Sequence, residues 1–202
     1  MGLGLPLDPS LYLPSGARYQ GTATQSAIVG VGLDPITGVS TTYNGSYAAR
    51  VNNSINDYTV NVISQKVLNY SGSTINFEWS AVLEDSHGLN DSDHFSITLT
   101  DNTTNSLLYN VAISSASFPG YFSQVGVWNY SGWQVQTIAV TSGHDYTLTL
   151  LAADCPYGGH AGYVYLDGFA DVIVPQGVPD RGMVAAMLLS ACAGLLAFRR
   201  RV

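Results

Sequence analysis

The chain has 202 residues, enough for one domain with a sizeable core and too few for two large ones. Only 10% of residues are charged, against roughly 25% in an ordinary soluble protein. The formal charge is −7, and residues 1–177 carry Arg18, Arg50 and Lys66 as their only basic groups, so the surface repels phosphate backbones and nucleic acid is excluded as a partner.

An apolar content of 46% argues against disorder. Scarce Lys and Glu beside abundant Thr, Tyr, Val, Asn and Gly argue against a helical domain. Residues 1–18 read as an extended, Pro-rich segment of weak structure, with Pro6, Pro9 and Pro14 interrupting every apolar run. No basic start or continuous apolar stretch marks an export signal there, so such a signal is expected upstream of the given start. Short alternating runs follow. Strands are predicted at 19–31, 47–51, 58–68, 75–83, 94–101, 106–113, 124–130, 133–140, 144–153, 162–167 and 169–174. Turn pairs separate them, among them Asn44-Gly45, Ser71-Gly72, Asp101-Asn102, Ser131-Gly132 and Ser142-Gly143. About ten strands without a helical pattern before Gly182 predict an all-β fold: an antiparallel two-sheet sandwich, jelly-roll-like, over residues 19–174.

Two clusters hold the residues with chemical potential. One runs from Glu84 to Phe95, the other from Asp154 to Gly168. If their loops meet, Asp85, Asp91, Asp93, Asp154 and Asp167, with Asn90, offer the hard oxygen ligands that Ca²⁺ takes six to eight at a time. The other reading is a self-satisfied loop, with Asp154 accepting backbone N–H groups and His160 packed against Tyr163 or Tyr165. His87, His94, His160 and Cys155 are zinc-ligand types but lack a C-x-x-C or H-E-x-x-H spacing. Cys155 and His160 are a conceivable nucleophile pair, with no oxyanion hole to serve it. No paired-carboxylate arrangement for glycoside hydrolysis can be read from spacing. The chain is therefore expected not to be an enzyme. Trp128, Tyr130 and Trp133 are a candidate stacking platform for sugar rings, with Trp128 and Tyr130 on one strand face. The other reading, and the one the pattern favours, is that they fill the sandwich core, with Trp133, Val135, Thr137 and Ala139 pointing inward.

The tail is the most specific signal. Gly182–Phe198 is 17 residues without a charge, about 25 Å of helix and near the lower limit for a bilayer span. Arg199, Arg200 and Arg201 follow as a cytoplasmic membrane stop, placing everything before Val178 outside. Val178-Pro179-Asp180 stands just ahead of the span, where Pro179 ends the helix and leaves an extended segment open to a protease. Short Pro motif, apolar helix and terminal Arg cluster, in that order, resemble the C-terminal sorting signals of the PEP-CTERM class in its VPD-type variant. That resemblance implies recognition by an exosortase, a membrane protease, with transient anchoring in the inner membrane and later release to the cell surface or extracellular space. The run D-C-x-x-G-G-H-x-G-Y-x-Y-x-D from Asp154 to Asp167 resembles a recurrent β-sandwich module of bacterial surface proteins. In that module a second Cys usually follows the final Asp. Here only Cys192 follows, inside the apolar run, so no structural disulfide is expected at Cys155.

The expected organisation is thus an N-terminal segment (1–18), the sandwich (19–174), a hinge with the sorting motif (175–181), a membrane helix (182–198) and a basic tail (199–202). The expected function is that of a non-catalytic surface or extracellular-matrix protein. The alternative is a Ca²⁺-stabilised carbohydrate-binding module with extracellular polysaccharide as partner.

Overall fold

A computed structural model describes residues 6–21, 25–89 and 91–170. The sorting motif, the apolar run and the arginines lie outside the described residues, as does 171–174 of the last predicted strand. Among the described residues no helix is long and apolar enough to cross a membrane.

The fold is all-β, two sheets packed face to face, and every pairing is antiparallel. The strands are β1 (Ala27–Gly30), β2 (Tyr47–Val51), β3 (Val60–Tyr70), β4 (Thr74–Glu84), β5 (His94–Asp101), β6 (Ser106–Ser114), β7 (Ser123–Val125), β8 (Trp128–Tyr130), β9 (Gln134–Ala139), β10 (His144–Ala153) and β11 (Gly162–Asp167). The seven-stranded sheet runs β1-β2-β11-β4-β8-β7, with β9 also paired to β4; the four-stranded sheet runs β3-β10-β5-β6.

Alternation sorts the side chains. In β4, Ile75, Phe77, Trp79, Ala81 and Leu83 point between the sheets, where they meet Phe95, Ile97 and Leu99 of β5, Leu148 and Leu150 of β10 and Val164 of β11. Each large apolar side chain removed from water here stabilises the fold by about 1.5–3 kcal/mol. The intervening residues of β4 face outward, and Val82 joins Tyr163 and Tyr165 in a separate cluster on the outer face of the seven-stranded sheet.

Three sequence expectations need correction. The predicted 124–130 strand is a hairpin, β7–β8, reversing at Gly126, whose φ of +57° suits glycine. Ser131-Gly132 is not a reversal: β8 and β9 pair in succession along the same strand, β4. Ser131 holds the junction there, its Oγ accepting from Ala81 N (2.9 Å) while its N donates to Ala81 O (3.0 Å). Finally, Val135, Thr137 and Ala139 face outward, since Gln134, Gln136 and Ile138 pair with the core-facing Trp79, Phe77 and Ile75.

The N-terminal segment is more structured than its prolines suggest. Asp8 caps a 3₁₀ turn at Pro9–Leu11, its side chain accepting from Ser10 N. Leu7 packs on Leu151 and Ala153, and its N–H donates to His94 Nε2 at 3.3 Å.

Candidate functional site

The first site is the outer face of the seven-stranded sheet. Trp128 and Tyr130 of β8 lie there, half-buried, against Val82 and Tyr163; the rings of Trp128 and Tyr163 are 6.2 Å apart. Their cross-strand neighbours in β7 are Val125 and Ser123, both exposed. All three candidate aromatics therefore fall outside the sandwich core, but they are not equivalent. Trp133 is fixed, its Nε1 donating to Ser40 O at 2.9 Å, with Tyr43 and Tyr165 rings 5.8 and 6.4 Å away.

Part of this face is roofed by the segment between β1 and β2, and Asp34 holds the roof down. Its Oδ2 accepts from Tyr163 Oη (2.7 Å) and Tyr165 Oη (2.8 Å), and its Oδ1 from Ile36 N, Thr37 N and Thr37 Oγ1. Burial pushes the Asp34 carboxyl up, but the backbone N–H of Thr37 and the three hydroxyls outweigh it, leaving a net lowering. Both phenols are raised strongly, by burial first and by donation to this carboxylate second. The sequence reading missed Asp34. Its D-P-x-T-G turn is locally legible, but not its tyrosine partners 129 and 131 residues away.

The second site lies where the β4–β5 and β10–β11 loops come together. The two loops do meet: Glu84 N donates to Ala161 O (2.9 Å) and Ala161 N to Glu84 Oε2 (3.0 Å). What they bring together is not the five aspartates. Asp85 accepts from Gln124 Nε2 (3.1 Å) and Asn129 Nδ2 (2.6 Å). Asp167 sits across the molecule's roof segment, accepting from Tyr43 N, Asn44 N and Gly168 N. Asp154 accepts from Asn52 Nδ2 (2.8 Å) and Thr59 N (2.9 Å), and Asp93 from the Ser115 hydroxyl. Asp91 Oδ2 lies 3.8 Å from His87 Nδ1. Each carboxylate is thus engaged by its own neighbours, so the shared five-aspartate calcium site is not the arrangement found. Burial raises the Asp154 carboxyl to about 7, with Asp57 adding to the effect against the Thr59 and Asn52 donors; burial likewise holds Asp93 well above the usual range.

Instead, His87, Cys155 and His160 each present one ligand atom within 4.8 Å of the other two, the one such group of three among the described residues. Cys155 Sγ is 3.3 Å from His87 Nδ1, and the two imidazoles stand edge to face at 5.0 Å. The thiol is buried, which raises its pKa; the His160 imidazole, Ser86 and the N–H groups of Gly158 and Tyr157 outweigh this and bring it down to about 6. Cys155 forms no disulfide among the described residues. His94 belongs to neither site; burial lowers its pKa to about 4.

No family model matches the chain, and no curated protein does. Solved structures of similar outline include a CBM27-1 module of Caldicellulosiruptor saccharolyticus in complex with mannohexaose (14% identity, 74% of this chain and 90% of that one, TM-score 0.36). Others are a non-crystalline cellulose-specific module, CBM28 (14%, 83% and 94%, 0.34), and the K1 cleaved adhesin domain of Lys-gingipain from Porphyromonas gingivalis W83 (12%, 72% and 89%, 0.38). At these identities and scores the likeness carries no inference about ligand or mechanism.

Proposed function

We propose that this chain is an exported, non-catalytic surface or matrix protein whose sandwich associates with extracellular polysaccharide through Trp128 and Tyr130. The observation that carries the reading is their place: two aromatic faces at period two, half-exposed, on the outer face of a sheet whose core is filled without them. Sugar rings stack on such faces because their axial C–H bonds meet the π cloud. Tyr163 and Val82 support the pair from below, and exposed Val125 and Ser123 leave its β7 side open. The buried carboxylates hold local donors rather than facing a shared cleft, which favours binding over hydrolysis.

Affinity electrophoresis through gels containing soluble mannan, β-glucan or the producing cell's own extracellular polysaccharide tests this. At least one polymer should retard the wild type, and Trp128→Ala should migrate freely while keeping its fold. Equal mobility of the two proteins in every gel overturns the assignment.

Export and sorting rest on the tail: Val178-Pro179-Asp180, then 17 uncharged residues, then Arg199–Arg201. An exosortase acting near the motif would leave the sandwich outside the cell. Replacing Val178, Pro179 and Asp180 together by alanine should leave a full-length, membrane-bound form in the native host. Unchanged processing of that variant removes the sorting motif from the account.

A further inference from the structure

The β4–β5 and β10–β11 loops converge on a set of groups that the proposed polysaccharide face does not use. Cys155, His87 and His160 come from positions separated by as much as 73 residues of chain, yet their ligand atoms crowd within 4.8 Å. We propose that Cys155 Sγ, His87 and His160 form a binding site for a single Zn²⁺-type ion, with an open fourth position.

Three observations carry it. The donor set is right in kind: one thiolate and two imidazoles suit a borderline-soft ion, and hard oxygen-seeking cations take neither. The spacing is right in size. Zn–S and Zn–N bonds of about 2.3 and 2.0–2.1 Å at tetrahedral angles put sulfur and nitrogen roughly 3.5 Å apart. Cys155 Sγ and His87 Nδ1 lie 3.3 Å apart, so an ion fits after a small outward movement of the exposed His87 ring. The sulfur is also prepared by its own turn. In Cys155-Pro156-Tyr157-Gly158, the N–H groups of Tyr157 (3.4 Å) and Gly158 (3.2 Å) point at Sγ, while Cys155 N donates to His160 O and Gly159 N to Cys155 O. The turn thereby fixes the thiol and His160 relative to one another before any ion arrives.

Gly158 makes the approach possible. A Cβ there would fall 2.5 Å from His160 Cε1 and 3.1 Å from His87 Cε1. His160 Nδ1 is buried without a well-formed hydrogen bond, as an imidazole nitrogen reserved for a metal would be. A covalent role for Cys155 is disfavoured by its burial, which denies a bulky substrate access to sulfur. Three protein ligands leave one tetrahedral position for water or an exogenous donor.

The test uses the full chain in mild detergent, stripped with chelator and reduced. Zn²⁺ should bind with one-to-one stoichiometry in competition with a chromophoric chelator. Co²⁺ should give tetrahedral d–d bands with a thiolate-to-metal charge-transfer band. Cys155→Ser should lose the charge-transfer band, and His87→Ala should weaken Zn²⁺ binding by about tenfold or more. Because His87 is exposed, its variant should keep the wild-type fold in the chelator-stripped state, which circular dichroism checks. No stoichiometric binding by the wild type, or binding unaltered in His87→Ala, overturns the site. Loss of polysaccharide retention by Trp128→Ala with Zn²⁺ binding intact would show that the two sites are separate.

Discussion

Trp133 Nε1 donates to the carbonyl of Ser40, 93 residues earlier in the chain, at 2.9 Å. The bond ties β9 to the segment that roofs the outer face, and it divides three neighbouring aromatics into two jobs. Trp133→Ala removes the donor, leaves Ser40 O unmatched and takes a ring from between Tyr43 and Tyr165. It should cost about 2 kcal/mol, less than truncating a fully buried Trp because Trp133 is half-exposed. Trp128→Ala loses packing on Val82 and Tyr163 but no side-chain hydrogen bond among the described residues, and should cost about 1 kcal/mol. Urea unfolding measures both, and a Trp128 variant as unstable as the Trp133 variant would assign Trp128 to structure rather than binding.

Asp34 is the roof's second fastening. Replacing it by asparagine turns one acceptor oxygen into an NH₂ group among donors: two tyrosine hydroxyls, two backbone N–H groups and the Thr37 hydroxyl. The expected loss is roughly 1–3 kcal/mol at neutral pH. The pH dependence has a definite sign. The folded carboxyl titrates below its ordinary 3.8, so its contribution is present above about pH 4 and fades as pH falls through the folded value. Asp34→Asn should therefore lose its deficit relative to wild type in acid. A deficit unchanged down to pH 3 or so would mean the native carboxyl carries no lowered titration.

Ser131 offers a check on the β8–β9 junction. Its Oγ accepts from Ala81 N, and its carbonyl accepts from Ser80 Oγ, both buried. Ser131→Ala strands the Ala81 N–H and should cost about 1–3 kcal/mol. Faster exchange of the Ala81 amide should accompany it. Unaltered exchange there would show that the junction does not depend on the hydroxyl.

Much of the sandwich could be read from alternation, because strands with one buried face leave a period-two record. β2, β5, β10 and β11 have the bounds that pattern gives. The pattern says nothing about where a strand reverses. Ser131-Gly132 carries the same turn residues as a true hairpin, and only the pairing of both flanks to β4 distinguishes it. Gly126, the real reversal, stands alone between two valines. The long predicted strand at 19–31 shrinks to Ala27–Gly30 because the residues before it hold no regular pairing among those described. At the loop clusters, chemistry was legible as residue types but not as contacts. Asp85 and Asp154 look alike in sequence, yet Asp85 meets Gln124 and Asn129 near the β7–β8 hairpin while Asp154 meets Asn52 and Thr59 from the segment between β2 and β3. Cys155 and His160 were readable as neighbours on a Gly-rich loop. That His87 would join them depends on the β4–β11 register, which no local pattern specifies.

Two buried groups should tilt the stability profile in opposite directions. Asp154 titrates near 7 in the fold and near 4 when free, so between those values the native state holds a proton that the unfolded chain has lost. Stability attributable to it falls as pH rises across that window. His94 titrates near 4 in the fold against 6.5 when free, so the unfolded chain takes a proton that the native state refuses, and stability rises with pH over about 4 to 6.5. Protonating His94 would also remove the lone pair that accepts from Leu7 N, loosening the N-terminal segment from Leu151 and Ala153. In wild type the two slopes oppose each other, with the raised Asp93 carboxyl adding to the Asp154 side. His94→Gln keeps an acceptor for Leu7 and should expose the Asp154 slope, with melting midpoints dropping from about pH 4 to 7. Asp154→Asn should tilt the profile the other way relative to wild type up to about pH 6.5, with the raised Asp93 carboxyl a falling background common to both variants. Calorimetry in EGTA-containing buffers measures both series without interference from divalent ions. Parallel slopes in the two variants would mean that neither residue titrates as its surroundings dictate.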